Sequence, residues 1–192
     1  MISAHNLSYK INKNTLFSGL NFDCKSGNIF QILGSNGSGK TSLLKILSGI
    51  TNPTKGMVTL KGSIRKLYLG HKIPIKDYLT SEQNYYLLNG KDTLKDYDAY
   101  CDLINLNVPK SMLSANLSFG QKKKLILSKI FNQSYDILFL DKPFVGLDAE
   151  TVMIIKKQIL EMKKKGAGIF LTSHQETLEG DVLIDLDKGE IS

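Results

Sequence analysis

Apolar and polar residues alternate along the first 26 positions of the chain. The stretches "AHNLSYKI" (residues 4–11) and "TLFSGLNFDC" (15–24) both follow this period of two. Alternation of this kind is typical of strands with one buried face, so we predict a pair of antiparallel strands at the start of the chain.

Three later apolar runs are short and lead into glycine or polar residues, which predicts buried strands. These runs are residues 27–33, 135–140 and 167–173. Segments with helical spacing occur at residues 40–50, 122–131 and 149–166, the last closed by Gly166. In the first helix, one face carries Leu43, Ile46, Leu47 and Ile50. The alternation of strand and helix predicts an α/β fold with a mainly parallel core sheet.

The remaining segments complete the predicted domain. Residues 57–62 have the pattern of a short strand and residues 181–192 that of a terminal hairpin, whereas residues 77–116 show helical spacing and many tyrosines. We therefore predict a single domain over residues 1–192. Its core comprises residues 1–71 and 117–192, and a helical subdomain is inserted at residues 72–116.

The composition fits one globular domain and argues against some partners. The chain has 192 residues, of which 42% are hydrophobic, and a formal net charge of +7. Because Arg65 is the only arginine, and nucleic-acid grooves favour arginine with interleaved aromatic residues, we expect no nucleic-acid partner. The start "MISAHNLSYK" has no apolar signal core, so we expect no export signal, and no run of 18 consecutive apolar residues occurs, so we expect no membrane span.

The clearest chemical motif is "GSNGSGKT", which matches the phosphate-loop pattern G-x-x-x-x-G-K-[ST] in full. Its glycines allow successive N–H groups to turn toward one anion, and the helix that follows adds its positive end. Lys40 can reach the outer phosphates of a nucleotide, and the Thr41 hydroxyl can bind Mg²⁺. The residues expected to bind the nucleotide here are Gly34, Ser35, Asn36, Gly37, Ser38, Gly39, Lys40, Thr41 and Ser42.

A second motif is the apolar run that ends at Asp141. A strand of this kind carries its last residue to the carboxyl edge of a parallel sheet, where ligands bind. Beside a phosphate loop, Asp141 is the expected partner of Thr41 in holding Mg²⁺. The sequence thus predicts a site for ATP and Mg²⁺.

A third motif, "LSFGQKKK" (residues 117–124), resembles the LSGGQ signature of the ABC-type ATPases, with Phe119 at the middle position. The phosphate loop, "FLDKPFVGLD" (139–148) and "LTSHQ" (171–175) follow the order and spacing of that family, and the resemblance extends from end to end. The fold it implies is a P-loop NTPase with antiparallel N-terminal strands and a helical insertion.

The family resemblance also implies roles for individual residues. It implies a head-to-tail homodimer in which each ATP lies between the phosphate loop of one protomer and Ser118, Gly120 and Gln121 of the other. His174 matches the switch histidine of the family, and Asp148 matches the aspartate that couples the two sites across the dimer.

A narrower resemblance is to the ATP-binding subunits of cytochrome c maturation systems, which are heme exporters. It rests on "TLFSGLNF", "LYLGHKIPIKDYLTSEQN" (residues 67–84) and "DKPFVGLD". The resemblance implies a peripheral subunit on the cytoplasmic face of the inner membrane that pairs with a separately encoded integral membrane permease. The alternative is the ATPase subunit of another ABC exporter.

Two lysines depart from the family pattern. Lys142 stands where the family has its catalytic glutamate, and Lys72 stands where it has the glutamine that contacts Mg²⁺. A protonated lysine cannot accept the proton of water, although it favours bound ATP. Either hydrolysis is very slow and the chain is a nucleotide-dependent structural subunit, or His174 and the phosphate manage the proton. The candidate catalytic residues are therefore His174, Lys142 and Asp141.

Other features indicate less. Tyr9 is the aromatic residue nearest to the position at which the family stacks on adenine, and ordinary strand packing is an equal alternative. The run "KKKLILSK" (residues 122–129) is interpreted as a solvated helix face. The "LSFGQ" segment and His174 argue against a small-molecule kinase, and the single nucleotide domain argues against a ribosome- or DNA-acting ABC protein.

Overall fold

The contacts between residues divide the chain into two units in the computed structural model, which describes residues 2–93, 95–173, 178 and 180–192. The first unit comprises Met1–His71, Tyr135–Pro143 and Glu161–Ser192. The second comprises Lys72–Ser134 and Phe144–Leu160. Each unit is described separately below.

An antiparallel sheet opens the first unit. It contains β1 (Ile2–Ile11), β2 (Asn14–Cys24) and β4 (Lys55–Leu60) in the order β2-β1-β4. β4 approaches β1 so closely at Gly56 (φ +82°) that a Cβ atom there would lie 2.3 Å from the backbone oxygens of β1, so only glycine fits. The antiparallel N-terminal strands predicted from the period of two are confirmed.

A second sheet has six strands and is mainly parallel. Its strands are β3 (Ile29–Leu33), β5 (Lys66–Leu69), β6 (Ile137–Asp141), β7 (Gly168–Thr172), β8 (Val182–Asp185) and β9 (Glu190–Ile191). Their order is β5-β6-β7-β3-β8-β9, and only the pair β8 and β9 is antiparallel. This sheet confirms the predicted α/β fold class, and β8 with β9 forms the predicted terminal hairpin.

The centre of the parallel sheet is buried on both faces, which explains why its strands are continuous apolar runs. Every residue of β6 and β7 is buried. Phe30, Phe170 and Phe139 lie opposite one another on three neighbouring strands, and their ring centroids are 4.7 Å and 5.4 Å apart along this row. The packed row of rings fixes the register of the strands that carry the site residues.

β5 was missed by the sequence analysis. It has only four residues, of which Lys66 and Tyr68 face away from the well-buried Leu67 and Leu69. It pairs in parallel with β6 at the edge of the sheet. A run of this length without a continuous apolar pattern carries too little local signal to be recognised.

Helix α1 (Lys40–Ser48) follows the phosphate loop and ends one residue before Gly49, which adopts φ +82°. The N–H of Gly49 caps the last turn, as is common for glycine at a helix C-terminus. Ile50 therefore lies beyond the helix and is 57% exposed. The prediction that Ile50 shares the buried face of this helix is wrong, because the glycine reverses the chain before that face can continue.

The second unit is helical. It contains α2 (Ser81–Asn89), α3 (Tyr97–Ile104), a short 3₁₀ helix (Ser114–Asn116), α4 (Phe119–Leu127) and α5 (Lys129–Asn132). It also holds most of α6 (Ala149–Lys164). The unit extends beyond residues 72–116, because α4 and α5 pack against α2. Among the helices of the described residues, none has the length and apolar character that crossing a bilayer requires.

The predicted helix over residues 122–131 differs from the structure in two respects. It is split at Ser128 into α4 and α5, and it is not a solvated face. Lys123 is 2% exposed and Lys124 is 8% exposed. Lys124 forms an ion pair with Asp148 at 2.9 Å and donates to the carbonyl of Asn105 at 3.1 Å, and these partners account for its burial.

A fully buried asparagine joins three segments of the second unit. The Asn84 Oδ1 accepts from the N–H of Lys76, and its Nδ2 donates to the carbonyl of Lys76, both at 2.9 Å. The same Nδ2 also donates to the carbonyl of Thr80 at 3.2 Å and to the Ser114 hydroxyl at 2.8 Å. A single side chain thus fixes the loop before α2 and the 3₁₀ helix.

We expect Asn84→Ala to lower the free energy of unfolding by about 2–4 kcal/mol, because it removes a fully buried side chain that bonds to the N–H and carbonyl of Lys76 and to the buried Ser114 hydroxyl. The exposed Asn107 offers a matched control, and Asn107→Ala should change stability by less than about 0.5 kcal/mol. Urea unfolding followed by circular dichroism measures both. Equal stability of the two variants would contradict the structural role of Asn84.

Candidate functional site

The phosphate loop connects β3 to α1, as its motif predicts. Gly34 adopts φ +146°, and a Cβ atom there would lie 2.4 Å from the Ser38 Oγ. Gly39, the residue before α1, adopts φ +105°, and its Cβ atom would lie 3.0 Å from the Cβ of Leu16. Glycine is therefore required at both positions by conformation and by space.

The polar groups of the loop are arranged around Lys40, which is only 5% exposed. The Lys40 Nζ donates to the carbonyl of Ser35 at 2.6 Å and to the carbonyl of Gly34 at 2.5 Å. The buried Ser38 Oγ has no hydrogen-bond partner among the described residues, and nothing lies within 4 Å of a Cβ atom built on Gly37. The loop thus offers an unpaired hydroxyl and open space beside a lysine, which fits a phosphate group.

Asp141 lies at the carboxyl end of β6 and is 1% exposed. Its two carboxylate oxygens accept hydrogen bonds from the hydroxyls of Thr41 and Thr172, each at 2.7 Å. The structure therefore brings the hydroxyl and the carboxylate of the predicted magnesium site into direct contact. Oxygen donors of these two kinds are those that Mg²⁺ prefers, so the pair fits this ion.

Lys142 follows Asp141 in an unusual backbone conformation. Its φ is +50°, in the left-handed region that residues with a Cβ atom rarely adopt, and its N–H donates to the Thr172 hydroxyl at 2.9 Å. Its Nζ lies 3.4 Å from the Oδ1 of Asn36, a residue of the phosphate loop. The ammonium group of Lys142 therefore lies at the phosphate loop itself.

The charges at the loop act on Lys40. Burial lowers the pKa of Lys40, and the positive charge of Lys142 lowers it further. The negative charges of Asp187 and Asp141 oppose both effects on this pKa. Two ammonium groups this close repel each other, and a bound polyphosphate would relieve that repulsion.

Asp187 is a site residue that the sequence analysis missed. Its Oδ2 accepts from the N–H of Ser35 at 2.6 Å, and its Oδ1 accepts from the Ser35 hydroxyl at 2.9 Å. It lies in the turn between β8 and β9, 152 positions away from Ser35 along the chain. No local motif marks it.

In the second unit, the signature segment begins helix α4. The Ser118 hydroxyl accepts from the N–H of Gln121 at 3.2 Å, and the Gln121 side chain accepts from the N–H of Ser118 at 2.8 Å. This reciprocal pair is a capping box, which the S-x-x-Q spacing could have predicted. The signature thus fixes a helix N-terminus, whose N–H groups favour anions.

Gly120 packs against the "FVGLD" turn within the same unit. A Cβ atom at Gly120 would lie 2.5 Å from the carbonyl oxygen of Gly146, and one at Gly146 (φ +80°) would lie 2.6 Å from the Phe119 ring. Phe119 itself is 45% exposed. Both glycines are therefore required by close packing between the signature and this turn.

Asp148 precedes α6 and has several partners. It forms the ion pair with Lys124, and it accepts from the N–H and the hydroxyl of Thr151 at 2.8 Å and 3.0 Å. The Lys124 ammonium and these Thr151 bonds hold the pKa of Asp148 well below its usual value. Its predicted role in coupling two protomers stays a prediction.

The remaining predicted residues are spread over the chain. Ser42 lies half-buried in the first turn of α1, and Lys72 is exposed. The Tyr9 ring stacks against Phe17, with centroids 6.1 Å apart, which supports strand packing as its role in this structure. His174 lies outside the described residues.

The first unit therefore has the glycine loop, lysine, hydroxyl and buried carboxylate of a phosphate-loop nucleotide-binding protein. A model of the family described as ABC transporter matches residues 17–145, which include the phosphate loop, the Ser118 segment and Asp141. The chain belongs to this family, and it is an ABC-type ATPase of the kind that serves transporters as the ATP-binding subunit.

Two curated relatives cover nearly the whole chain. A cytochrome c biogenesis ATP-binding export protein CcmA from Idiomarina loihiensis is 30% identical, over 94% of this chain and 88% of its own length. The ABC transporter ATP-binding protein YybJ from Bacillus subtilis, described as uncharacterized, is 32% identical, over 100% of this chain and 94% of its own.

Solved structures are similar in fold. An ATP-binding subunit of an ABC transporter superimposes with a TM-score of 0.79 at 22% identity, over 96% of this chain and 85% of that one. The dimeric ATP-binding cassette MJ0796, solved in a post-hydrolysis state bound to ADP and Pi, gives a TM-score of 0.77 at 18% identity, over 100% of this chain and 96% of that one.

We expect the isosteric substitution Thr41→Val to reduce the contribution of Mg²⁺ to ATP affinity by about tenfold or more, because it removes one oxygen donor of the predicted site. Titration calorimetry with ATP, in Mg²⁺ and in excess EDTA, measures this contribution. Thr59→Val, on the exposed side of β4, is the control and should behave as the wild type. A full magnesium effect in Thr41→Val would exclude this residue from the metal site.

Proposed function

We propose that the chain is the ATP-binding subunit of a membrane complex that exports heme for cytochrome c maturation. The main observation in support of a nucleotide site is that Thr41, Asp141 and Lys40 all lie in the first unit. The Thr41 hydroxyl donates a hydrogen bond to the Asp141 carboxylate at 2.7 Å. The similarity to CcmA over most of both chains, together with the "YLGH" stretch, supports the particular transport system.

The residues of the phosphate loop and of β6 have different roles at the proposed nucleotide site. The N–H groups of residues 34–41 and Lys40 would hold the phosphates of ATP, and Thr41 with Asp141 would hold Mg²⁺, which supplies charge neutralisation at the phosphates when bound. Ser118, Gly120 and Gln121 of a second copy would contribute the N-terminus of α4. The functional unit is therefore a homodimer that contains two ATP molecules.

Hydrolysis is slow in this proposal because Lys142 cannot act as a base. Its backbone is fixed by the bond to Thr172, and its Nζ lies at Asn36 in the phosphate loop, so it is placed to bind phosphate. In this proposal, binding of ATP closes the dimer, and the dimer stays closed for a long time because hydrolysis of the bound ATP is slow. His174 is the remaining candidate for handling the proton.

The complex is completed by a separately encoded membrane permease, so the chain is a peripheral subunit on the cytoplasmic face of the inner membrane. Nucleic acid has no part in this function. Two alternatives each have a specific observation in their favour. The similarity to YybJ over the whole chain favours another ABC exporter, and Lys142 favours a nucleotide-dependent structural subunit.

We expect Lys142→Glu to release phosphate from ATP at least about tenfold faster than the wild type, because a general base contributes roughly 10²–10⁴-fold. Lys142→Gln removes the charge without supplying a base, so it should stay slow and bind ATP more weakly. The control Lys157→Glu makes the same charge change on the exposed face of α6. Phosphate release is measured with and without the membrane partner, and equal rates for wild type and Lys142→Glu would contradict the proposal.

We expect a tagged chain to recover an integral membrane protein from detergent-solubilised membranes in the presence of MgATP, with less recovered by Lys40→Ala.

Deletion of the gene should also reduce covalent heme in c-type cytochromes, measured by heme staining of separated membrane proteins. Normal heme attachment in the deletion strain, with the membrane partner still recovered, would favour another ABC exporter.

A further inference from the structure

The turn between β8 and β9 is placed at the phosphate loop by backbone pairing. β8 runs parallel to β3 with Asp185 opposite Leu33, and the N–H of Leu186 donates to the carbonyl of Leu33 at 3.1 Å. Leu33 is the last residue of β3, and the phosphate loop begins at the next position. The residue after Leu186 is therefore held beside the start of the loop.

The turn has a defined shape of its own. The Asp185 Oδ1 accepts from the N–H groups of Asp187 and Lys188 at 3.0 Å and 3.1 Å, and Leu186 is only 7% exposed. These contacts anchor the turn on both sides of Asp187. Asp187 is thus presented to the loop by a fixed backbone and does not depend on a long flexible side chain.

The contact between Asp187 and Ser35 uses both carboxylate oxygens. One accepts the Ser35 N–H at 2.6 Å and the other accepts the Ser35 hydroxyl at 2.9 Å. Hydrogen bonds to an ionised carboxylate are shorter and stronger than those between neutral groups. The carbonyl of the same residue, Ser35, accepts from the Lys40 Nζ at 2.6 Å.

A carboxylate beside a phosphate site requires an explanation, because it repels the ligand. Here the positive charges of two lysines offset the repulsion between Asp187 and a bound phosphate. Lys142 contacts Asn36, the neighbour of Ser35, and Lys40 contacts Ser35 itself. Asp187 also favours the charged form of Lys40, whose pKa burial and Lys142 lower. The loop is held between an acid from the turn that follows β8 and a lysine from the segment that follows β6.

We infer that Asp187 is a positioning residue of the nucleotide site, which fixes Ser35 and, through the Ser35 carbonyl, places Lys40 for the phosphates of ATP. This inference rests on the proposed nucleotide site. It assigns to the terminal hairpin a part in nucleotide binding, in addition to its place at the sheet edge.

The direction in which Asp187→Ala changes the affinity for MgATP distinguishes a positioning role from simple charge repulsion. Positioning predicts that Asp187→Ala weakens MgATP binding by about tenfold, the effect of losing about one charge-assisted hydrogen bond. Asp187→Asn should stay within about threefold of the wild type, because its amide oxygen can accept the Ser35 N–H and its amide group can donate to the Ser35 hydroxyl. If Asp187 only repelled the phosphates, both variants would bind ATP more tightly.

The experiment is titration calorimetry of the full chain with MgATP, using Asp23→Ala on the exposed face of β2 as the charge-matched control. Thermal unfolding without nucleotide verifies that each variant is folded.

Two results would overturn the inference: unchanged or tighter binding by Asp187→Ala, or failure of Asp187→Asn to restore binding. Each of these leaves the proposed nucleotide site intact, provided that the wild type binds MgATP. Absence of ATP binding by the wild type would instead remove the proposed function together with this inference.

Discussion

The site depends on one buried carboxylate. Asp141 is almost fully removed from solvent, and an unpaired charge in that position would be strongly destabilising. Two threonine hydroxyls, from α1 and from β7, satisfy its two oxygens at 2.7 Å. Thr172 also accepts the N–H of Lys142, so the same hydroxyl sets the direction in which the chain leaves β6. The start of α1, the end of β7 and the segment after β6 are therefore held together by a single acid.

The charges around this acid favour a ligand that carries several negative charges. Lys40 and Lys142 both contact the phosphate loop. Asp141 and Asp187 also contact the loop or the residue that follows it, and their negative charges offset those of the two lysines when no ligand is bound. Such an arrangement suits the triphosphate that we propose as the ligand, and a lysine at position 142 is not the carboxylate base that would activate water. The family to which the chain belongs hydrolyses ATP, and our proposal for this chain is that Lys142 stands at the position of the base.

Local sequence was sufficient to predict a feature where a single motif or a single hydrophobic period determines that feature. The loop "GSNGSGKT" could be predicted because its glycines, lysine and threonine are all within eight positions, and the buried strands because their apolar runs are continuous. The errors occur where the reason lies elsewhere in the chain. Lys124 is buried because Asp148 neutralises it, and a run of lysines alone cannot reveal that partner. Asp187 reaches Ser35 only because β8 pairs with β3, a long-range contact that no local pattern records.

The most direct test of the account is a crystal structure of the chain with Mg²⁺ and a non-hydrolysable ATP analogue. The account predicts the triphosphate in the phosphate loop, Mg²⁺ bound by Thr41 with Asp141 beside it, and the ammonium groups of both Lys40 and Lys142 within about 3.2 Å of phosphate oxygens. A triphosphate bound without any contact to Lys142, with that side chain turned toward solvent, would contradict the claim that this lysine is a phosphate ligand. A nucleotide bound outside the loop would contradict the account as a whole.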